Sequence, residues 1–547
     1  MTENAALPGL MQHHGLTVDR FLDFAAQWHG DVPVNGRDTR GGREETTYRQ
    51  LHRRARQLSA ALRATGIRSG DRVATLAMNH LRHVEAWYAI MGVGAVCHTV
   101  NPRLFDEQIA YIINHAADRI LMVDAAFLPT VGRILSGCPS IETVIVFPDG
   151  SADGLPADRP AACIDYEAFL QAGAGLSVAW GEVDETAACG LCYTSGTTGA
   201  PKGVLYSHRS NYLHTLASLQ HDFMNLSATD SVLPIVPMFH ANAWGLVFSA
   251  PAVGAKLVLP GARLDGASLH RLIEEEEVTF SAGVPTVWQG LLQHLAASGG
   301  RLSTLKRVLV GGAACPEALV RAFQDDHGIE VLHAWGMTET SPVAAAAAPT
   351  WFTRRLPVDQ QRRQALKQGR PMFGVDLALK GDAGDPLPHD GETPGYLMVR
   401  GATVAEHYFG DDREILDANG WFDTGDVATI DPHGFMRITD RSKDLIKSGG
   451  EWISSIEIEN HAVSHPKVAM AAVVGVEDER WGERPLLVVQ LVEGENSSAE
   501  ELLGHLEGRI ARWWMPDAVM FVARVPLGPT GKIDKKRIRA ELVGDAA

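Results

Sequence analysis

The sequence predicts an α/β protein with a large amino-terminal domain of mixed or parallel sheets with helices and a small α+β carboxy-terminal domain. Three observations predict this. Short apolar runs alternate with helical patterns through most of the chain. The pattern changes after about residue 440, and the 547 residues exceed the length at which one core stops growing. We therefore predict a large domain over 1–439 and a small domain over 440–547.

Individual segments support this division. DRVATLAMN (71–79) reads as a strand and is followed by a helical pattern, and helices are expected over 267–277 and 315–326. The further strand candidates are DRILMVD, ETVIVF, SVLPIVPMF, LKRVLVGG and GIEVLHAW. Beyond residue 440, KVAMAAVVGVEDERWGERPLLVVQLVEG predicts paired strands, and an amphipathic helix is expected near 498–513.

Composition narrows the function classes. The chain has 49 Lys+Arg against 66 Asp+Glu, a net charge of −17, which argues against a general binder of nucleic acid or anionic membranes. The amino terminus lacks the pattern of a signal peptide and no apolar run reaches about 18 residues, so we expect a cytoplasmic protein without a membrane span. The six cysteines are too sparse for a disulfide framework, and the pair in CGLC (189–192) is expected to be buried and structural.

The segment YTSGTTGAPKGV (193–204) has the composition of an anion-binding loop. Successive backbone N–H groups in a Gly-rich turn form a concavity for phosphate oxygens, and hydroxyl side chains add donors. It is not a Walker A loop, because a proline stands where that loop needs glycine before the lysine. A surface turn is the alternative for such a loop taken alone. The predicted phosphate-binding residues are Thr194, Ser195, Gly196, Thr197, Thr198, Gly199 and Lys202.

Four further motifs follow in order along the chain. They are AWGMTETSP (334–342), GWFDTGDVA (420–428), DRSKDLIKSGGEWIS (440–454) and GPTGKIDKK (528–536). Together with the first loop, they resemble the motifs of the adenylate-forming superfamily, which includes acyl-CoA synthetases, amino-acid adenylation domains and firefly luciferase. The resemblance extends from about residue 45 to 540. Overall, the chain is most similar to medium- and long-chain fatty acyl-CoA synthetases.

The resemblance implies a reaction and its cofactors. A carboxylate attacks the α-phosphate of ATP to form an acyl-adenylate, and the thiol of CoA then displaces AMP. Thr194 and Glu339 would hold Mg²⁺, a hard ion that prefers oxygen ligands. Lys532 would bridge the carboxylate and the α-phosphate, although its position in a charge run is also typical of a solvated lysine. The other implied nucleotide-binding residues are Gly311, Gly312, Ala313, Trp335, Gly336, Met337, Thr338, Asp426 and Arg441.

The resemblance also implies a moving small domain. In the family this domain swings between the two half-reactions, so that different groups face one phosphorus atom. Lys443 corresponds to the hinge. The residues expected to face the site after rotation, at the pantetheine tunnel, are Lys447, Gly449, Gly450 and Trp452. By analogy alone, a homodimer is expected.

The segment PMFHANAWG (237–245) bears on the acid. Amino-acid-activating relatives tend to have an aspartate after this aromatic residue, whereas here His240 follows Phe239, which favours a simple carboxylic acid. Trp244 resembles a gate tryptophan of long-chain synthetases, and Trp288 with the small residues of 343–349 would complete an apolar tunnel. A core residue is the alternative interpretation of each tryptophan.

Several alternatives stay open at this point. A CoA ligase for a short thioether acid such as 3-methylmercaptopropionate, or for an aryl acid, has the same motifs. A stand-alone enzyme that loads a carrier protein and a luciferase-like oxygenase share the adenylation step. A silent nucleotide-binding scaffold would lack the motif residues, and they are present here.

Overall fold

Two large sheets form the body of the protein. The structure is a computed structural model that describes residues 9–147, 162–194, 201–449, 451–528 and 532–543. Within these ranges the strands are β1 Pro33–Arg37, β2 Arg43–Thr47, β3 Arg72–Leu76, β4 Val96–Thr99, β5 Ile120–Asp124, β6 Thr143–Phe147, β7 Ala162–Asp165, β8 Ala188–Thr194, β9 Lys202–Ser207, β10 Ser231–Pro234, β11 Lys256–Leu259, β12 Phe280–Gly283, β13 Arg307–Val310, β14 Glu330–Gly336, β15 Val343–Ala346, β16 Arg370–Pro371, β17 Val375–Lys380, β18 Gly395–Gly401, β19 Phe422–Ile430, β20 Met436–Arg441, β21 Ile446–Ser448, β22 Glu451–Ile453, β23 Val468–Asp478, β24 Gly482–Leu491 and β25 Ala518–Phe521.

The helices connect these strands and cover the sheets. They are α1 Asp19–Trp28, α2 Tyr48–Ala64, α3 Leu81–Gly92, α4 Asp106–Ala116, α5 Leu128–Ile134, α6 Tyr166–Ala172, α7 His208–Ser218, α8 Leu246–Val253, α9 Gly266–Glu275, α10 Pro285–Ser298, α11 Glu317–Arg321, α12 Val358–Ala365, α13 Ser455–Val463, α14 Ala499–Leu506 and α15 Lys535–Ile538. Local sequence explains several starts: Thr47 and Gln50 form a capping box at α2, and Asp265 accepts from the Ser268 N–H at α9. None of the described helices is long and apolar enough to cross a membrane.

The two large sheets are mainly parallel. One has the order β16-β15-β14-β13-β12-β10-β11-β1-β2 and the other the order β7-β6-β5-β3-β4-β8-β9. Antiparallel strands lie at the ends, namely β2, β15 and β16 in the first sheet and β9 in the second. A single core cluster joins the sheets: the rings of Trp87 and Tyr88 in α3 lie 5.9 and 6.0 Å from the ring of Phe248 in α8.

Two smaller sheets follow. The strands β17 to β20 form an antiparallel sheet, and the sheet of the last hundred residues has the order β22-β21-β24-β23, with β25 parallel to β24. A turn at 442–444 separates these two sheets, close to the predicted boundary at 439/440. The predicted fold class is confirmed, while the boundary itself stays a prediction.

The predicted elements are largely present, with one clear difference. The strands predicted from DRILMVD, ETVIVF, LKRVLVGG and GIEVLHAW are β5, β6, β13 and β14. The helix expected near 498–513 ends at Leu506, because the chain turns at Gly508, whose φ of +72° is left-handed. Cys189 and Cys192 are buried free thiols, as expected.

Candidate active site

The predicted site residues follow the carboxyl ends of several parallel strands. Thr194 ends β8, Gly336 ends β14, and the pair Gly311 and Gly312 follows β13 directly. The carboxyl ends of parallel strands meet at one edge of a sheet, where α/β proteins bind their ligands. β13 and β14 belong to the nine-stranded sheet, whereas β8 belongs to the seven-stranded sheet. The Tyr206 hydroxyl, in β9 beside β8, donates to the Thr338 carbonyl just after β14, so the edges of the two sheets meet at one cleft.

The Gly311–Gly312 turn forms the centre of this cleft. Gly312 has a φ of +78°, and a Cβ built on it would lie 3.6 Å from Lys532 Cε and 3.7 Å from Trp244 Cζ2. A Cβ on Gly311 would lie 3.2 Å from Trp244 Cη2. The backbone of this turn therefore closely approaches two side chains from distant segments, and Ala313 beside it is exposed.

Lys532 reaches the cleft from a loop of the small domain. The Gly528 N–H donates to the Lys532 carbonyl over 2.7 Å, and Leu527 bridges Ile533, which closes the loop behind the lysine. Burial and the positive charge of Arg441 lower the pKa of Lys532 to about 8, and the carboxylates of Asp426 and Glu339 oppose that shift. The ammonium thus interacts with three charged groups of the motifs, namely Arg441, Asp426 and Glu339.

Asp426 and Arg441 pair across neighbouring strands. The two residues are directly opposite in β19 and β20, and Arg441 Nε lies 2.7 Å from Asp426 Oδ1. The Trp335 indole N–H donates to Asp426 Oδ2 over 2.8 Å. The arginine contact lacks hydrogen-bond geometry, so Oδ1 is a buried carboxylate oxygen with no hydrogen bond among the described residues. Such an oxygen is available to a ligand hydroxyl.

Glu339 is buried and held by a residue that the sequence did not indicate. The Tyr408 hydroxyl donates to Glu339 Oε1 over 2.8 Å, and Lys202 Nζ lies 4.6 Å from the centre of the Tyr408 ring. Burial raises the pKa of Glu339, while the Tyr408 bond and the charges of Arg441 and Lys202 oppose that rise. Thr194 is opposite Lys202 in the β8–β9 pair, so both ends of the predicted phosphate loop lie near this group.

The rest of the W-G-M-T-E motif is tightly folded. A Cβ on Gly336 would lie 2.0 Å from the Pro342 carbonyl oxygen, to which the Met337 N–H donates over 3.0 Å. The Thr338 carbonyl accepts from the Tyr206 hydroxyl over 2.7 Å. These contacts fix the segment between Trp335 and Glu339.

His240 lies beside two cations. Burial, together with the positive charges of Lys532 and Arg103, lowers the pKa of His240 to about 4, so its imidazole is neutral at pH 7. The guanidinium of Arg103 lies 5.7 Å from the centre of the Phe239 ring. His240 therefore contributes a hydrogen-bonding group, without a charge, to the cleft.

Trp244 is presented by an unusual backbone. Residues 241–244 all have φ between 46° and 54°, and Gly245 follows at 79°. Left-handed conformation costs a non-glycine residue roughly 1–2 kcal/mol, so this turn is strained. The buried Asn242 side chain holds it, accepting from Cys192 Sγ and donating to Asn211 Oδ1. This strained turn places the Trp244 indole beside Gly311 and Gly312.

Trp288 does not join this group. It is completely buried in a second core cluster, separate from the one that contains Trp244. Its indole N–H donates to the Gly283 carbonyl over 3.0 Å, and its ring meets Phe323 edge-on at 5.6 Å. These are the contacts of a core residue, and they give no support to its predicted acyl-binding role.

The hinge and tunnel residues lie at the start of the small domain. Lys443 is exposed in the turn after β20, and Lys447 is opposite Trp452 in the β21–β22 pair. The Trp452 ring lies 5.9 Å from that of Tyr396 in β18, and the Gly449 N–H donates to the Trp481 carbonyl. The predicted residues Ser195, Gly196, Thr197, Thr198, Gly199 and Gly450 lie outside the described residues.

Four residues of the site were missed from the sequence: Tyr408, Tyr206, Arg103 and Asn242. Tyr408 is 69 positions from Glu339 and Tyr206 is 132 positions from Thr338, so no local pattern links them. An aromatic pair in a polar segment, as in EHYFG, is the weak signal that Tyr408 offers.

The chain matches known protein families over most of its length. Residues 21–409 match the AMP-binding enzyme family, and residues 457–532 match the AMP-binding enzyme C-terminal domain. The chain belongs to the AMP-binding enzyme family. This match, together with the CoA-ligase relatives described next, confirms the prediction of an adenylate-forming enzyme of the acyl-CoA synthetase type.

Relatives of this AMP-binding enzyme match over nearly their full length. A 3-methylmercaptopropionyl-CoA ligase of Ruegeria lacuscaerulensis is 48% identical over 534 residues, covering 97% of this chain and 98% of the relative. A medium-chain-fatty-acid–CoA ligase of Ectopseudomonas oleovorans is 46% identical over 537 residues, covering 98% of each. The crystal structure of the anthranilate CoA ligase AuaEII with anthranoyl-AMP is similar, with a TM-score of 0.85, 25% identity, and coverage of 96% of this chain and 98% of that chain.

Proposed function

We propose that this AMP-binding enzyme is an ATP-dependent acyl-CoA synthetase. It joins a carboxylic acid to the α-phosphate of ATP with release of pyrophosphate, and then transfers the acyl group to the thiol of CoA. One observation carries the proposal: Arg441, Asp426 and Glu339, from three separate segments, all act on the Lys532 ammonium beside Gly312. Two anions must meet in the first step, and a cleft with two cations reduces their repulsion.

The nucleotide would be oriented by Asp426. Its Oδ1 is buried without a hydrogen bond, and a ribose hydroxyl is a donor that would satisfy it. Trp335 fixes the carboxylate by donating to Oδ2. In this arrangement the open backbone of Gly311, Gly312 and Ala313 would face the base, and Thr338 the α-phosphate.

The residues present fit a magnesium ion that is held mainly through substrate phosphates. Among the described residues no group of three or more His, Cys, Asp or Glu could hold a metal, so an all-protein cage is not indicated. Mg²⁺ usually needs only one or two carboxylates when phosphates supply further ligands. The Glu339 carboxylate and the Thr194 hydroxyl meet that requirement, and the bound ion would neutralise phosphate charge.

Lys532 and His240 would act on the reacting acid. A protonated Lys532 can donate to both the substrate carboxylate and an α-phosphate oxygen, which offsets the charge that develops as the bond to phosphorus forms. The neutral His240 can donate one hydrogen bond to the substrate carboxylate without adding a positive charge. The Lys532 side chain and the Trp244 indole both lie beside Gly312.

The acid is proposed to be an aliphatic monocarboxylic acid. The buried strand β15, Val343–Ala346, has short apolar side chains, and the Trp244 indole lies beside the glycine turn. An aliphatic tail gains about 0.8 kcal/mol per buried methylene in such surroundings. The relatives named for medium-chain fatty acids and for 3-methylmercaptopropionate support unbranched acids of different length, so chain length is the property to measure.

The second half-reaction is proposed to follow rotation of the small domain about Lys443. In the present arrangement Lys532 occupies the cleft, which fits the adenylation step. Rotation would withdraw it and turn the segment with Lys447, Gly449 and Trp452 toward the AMP. The predicted homodimer is retained as part of the proposal, and light scattering of the purified protein would check it.

The test is acid-dependent exchange of labelled pyrophosphate into ATP, followed by AMP release with CoA. The panel covers straight-chain acids from acetate to stearate, 3-methylmercaptopropionate, and aryl acids. We expect exchange with aliphatic acids, dependent on Mg²⁺, and CoA-dependent turnover with the same acids. No exchange with any acid would overturn the proposal.

The same assay separates the alternatives. Exchange without turnover by free CoA, but with transfer to a phosphopantetheine carrier protein, would indicate a carrier-loading enzyme. Oxygen uptake with the acyl-adenylate would indicate an oxygenase.

Trp244→Ala tests whether this tryptophan lines the acyl site, because its loss should extend or flatten the chain-length preference. The control Trp288→Phe, in the second core cluster, should leave that preference intact.

A further inference from the structure

Residues 350–373 form a basic and aromatic surface segment on a chain that is strongly acidic overall. The segment has six basic residues and one acidic residue, whereas the whole protein has a net charge of −17. Its amino-terminal part exposes two adjacent aromatic side chains, with Trp351 64% and Phe352 59% exposed. Adjacent exposed aromatic residues form a contiguous apolar patch, and a patch of this kind with a polar rim is typical of an interaction site.

The aromatic side chains are held in place while exposed. The rings of Trp351 and Phe352 meet edge-on at 5.0 Å, and the Phe352 ring stacks on His433 at 5.5 Å. The guanidinium of Arg355 lies 3.8 Å from the centre of the Trp351 ring. The side chains therefore do not need to be ordered again when a partner binds, which lowers the entropic cost of docking.

The positive charge is only partly neutralised within the protein. Arg362 pairs with Asp325, and Lys367 Nζ lies 2.5 Å from Asp431 Oδ2. The side chains of Arg354, Arg355 and Arg363 have no acidic partner in the ranges that the structure describes. Trp351, Phe352, Arg354, Arg355 and Arg363 are together called the basic–aromatic surface.

We propose that the basic–aromatic surface docks this enzyme on a bilayer that contains anionic phospholipids. Tryptophan and phenylalanine enter the boundary between headgroups and acyl chains, and arginine pairs with anionic headgroups. The net charge of the chain opposes binding elsewhere on the molecule, so docking is confined to this surface and is sensitive to salt. The general expectation from net charge is thus reversed locally.

The proposal goes beyond the ligase function, because vesicle binding requires no ligase activity. The experiment is flotation of the full chain with vesicles of phosphatidylcholine alone, or of phosphatidylcholine mixed with phosphatidylglycerol, at low and high ionic strength. We expect binding to the mixed vesicles at least about tenfold above binding to phosphatidylcholine, and its loss at high ionic strength.

Two variants and two matched controls connect binding to this surface. Trp351→Ala/Phe352→Ala and Arg354→Glu/Arg355→Glu should each lower binding to the mixed vesicles about tenfold or more. The control Trp28→Ala removes a tryptophan of similar exposure, 67%, from α1, and Arg53→Glu/Arg68→Glu reverses two exposed arginines near α2. Both controls should stay within about twofold of the wild type. All four variants should retain turnover of a water-soluble acid.

Three outcomes would overturn the proposal. The first is no binding of the wild type to anionic vesicles at low ionic strength. The second is an equal loss in the controls and in the surface variants. The third is a change of oligomeric state in Trp351→Ala/Phe352→Ala on light scattering, which would assign the surface to a second copy of the chain.

Discussion

Lys532 and Lys535 are neighbours in the sequence and have opposite environments. Lys532 lies beside Gly312 in the cleft and makes no ion pair in the described part of the chain. Burial and the charge of Arg441 lower its pKa to about 8. A cation that is costly to hold and has no fixed partner is ready to meet an anionic ligand.

Lys535, at the start of α15, is a structural residue. Its Nζ lies 2.8 Å from Glu459 Oε1 and donates to the Ser455 hydroxyl. Burial opposes its charge, but the carboxylates of Glu459 and Asp440 outweigh burial and raise the pKa of Lys535. The function of a lysine thus follows from its unsatisfied interactions rather than from its place in a charge run.

The largest expected effect is that of Lys532→Ala on adenylation. Loss of the ammonium removes the donor that offsets charge at the α-phosphate, so acid-dependent pyrophosphate exchange should fall about 10³-fold, or about 4 kcal/mol. Lys536→Ala, which removes an exposed lysine from the nearby helix α15, is the control and should stay near wild type. Thioester formation from supplied acyl-AMP should be largely retained by Lys532→Ala. Equal loss of both half-reactions would contradict the domain-rotation mechanism.

Lys535→Met should lower the free energy of unfolding rather than the rate of adenylation. It leaves the carboxylates of Glu459 and Asp440 buried near each other without a cation, at a cost of about 3 kcal/mol. The measurement is urea unfolding followed by a signal from the small domain. The double variant Lys535→Met/Glu459→Met should recover most of the loss, because an apolar pair of similar size replaces the ion pair. If the double variant is less stable than the single, the pair is not the cause.

What the sequence predicts about the two lysines depends on how far apart in the chain the interacting residues are. Lys532, Asp426 and Arg441 were predicted because their motifs are local patterns that resemble those of the adenylate-forming superfamily. Lys535 could not be told from the exposed Lys536, because its partner Glu459 is in a different helix. The charge run alone favours a solvated side chain for both Lys532 and Lys535.

The same limit applies elsewhere in the fold and the site. Short apolar runs predicted the strands of the large sheets, since a strand that is buried on both faces is continuously apolar. The left-handed turn of residues 241–244 was not foreseen, because none of its four residues is glycine. It depends on the Asn242 contacts with Cys192 and Asn211, which come from other elements.

The pH dependence of adenylation should distinguish Lys532 from Lys535. The kcat/KM for ATP should fall about tenfold per pH unit above pH 8, because the free enzyme loses the proton of Lys532 there. Lys535 has a raised pKa, so the fluorescence and circular dichroism of the small domain should not change in the same interval. Arg441→Gln should lower the rate but move the alkaline limb to higher pH, since removal of a neighbouring positive charge raises the pKa of Lys532. A limb that does not move in Arg441→Gln would assign the titration to another group.

The smallest expected effect concerns the Trp335 indole N–H, which orients the Asp426 carboxylate. Trp335→Phe keeps the aromatic ring and removes the N–H that donates to Asp426 Oδ2, so the carboxylate is less well oriented. One hydrogen bond to a charged group is worth about 1 kcal/mol or more, and the KM for ATP should rise about fivefold with little change in kcat. The preference for ATP over 2′-deoxy-ATP should shrink in parallel, because it depends on the ribose contact with Asp426. Trp421→Phe, at a partly buried indole outside the cleft, is the control. A loss confined to kcat, with ATP preference intact, would instead give Trp335 a role in the chemical step and remove Asp426 from ribose binding.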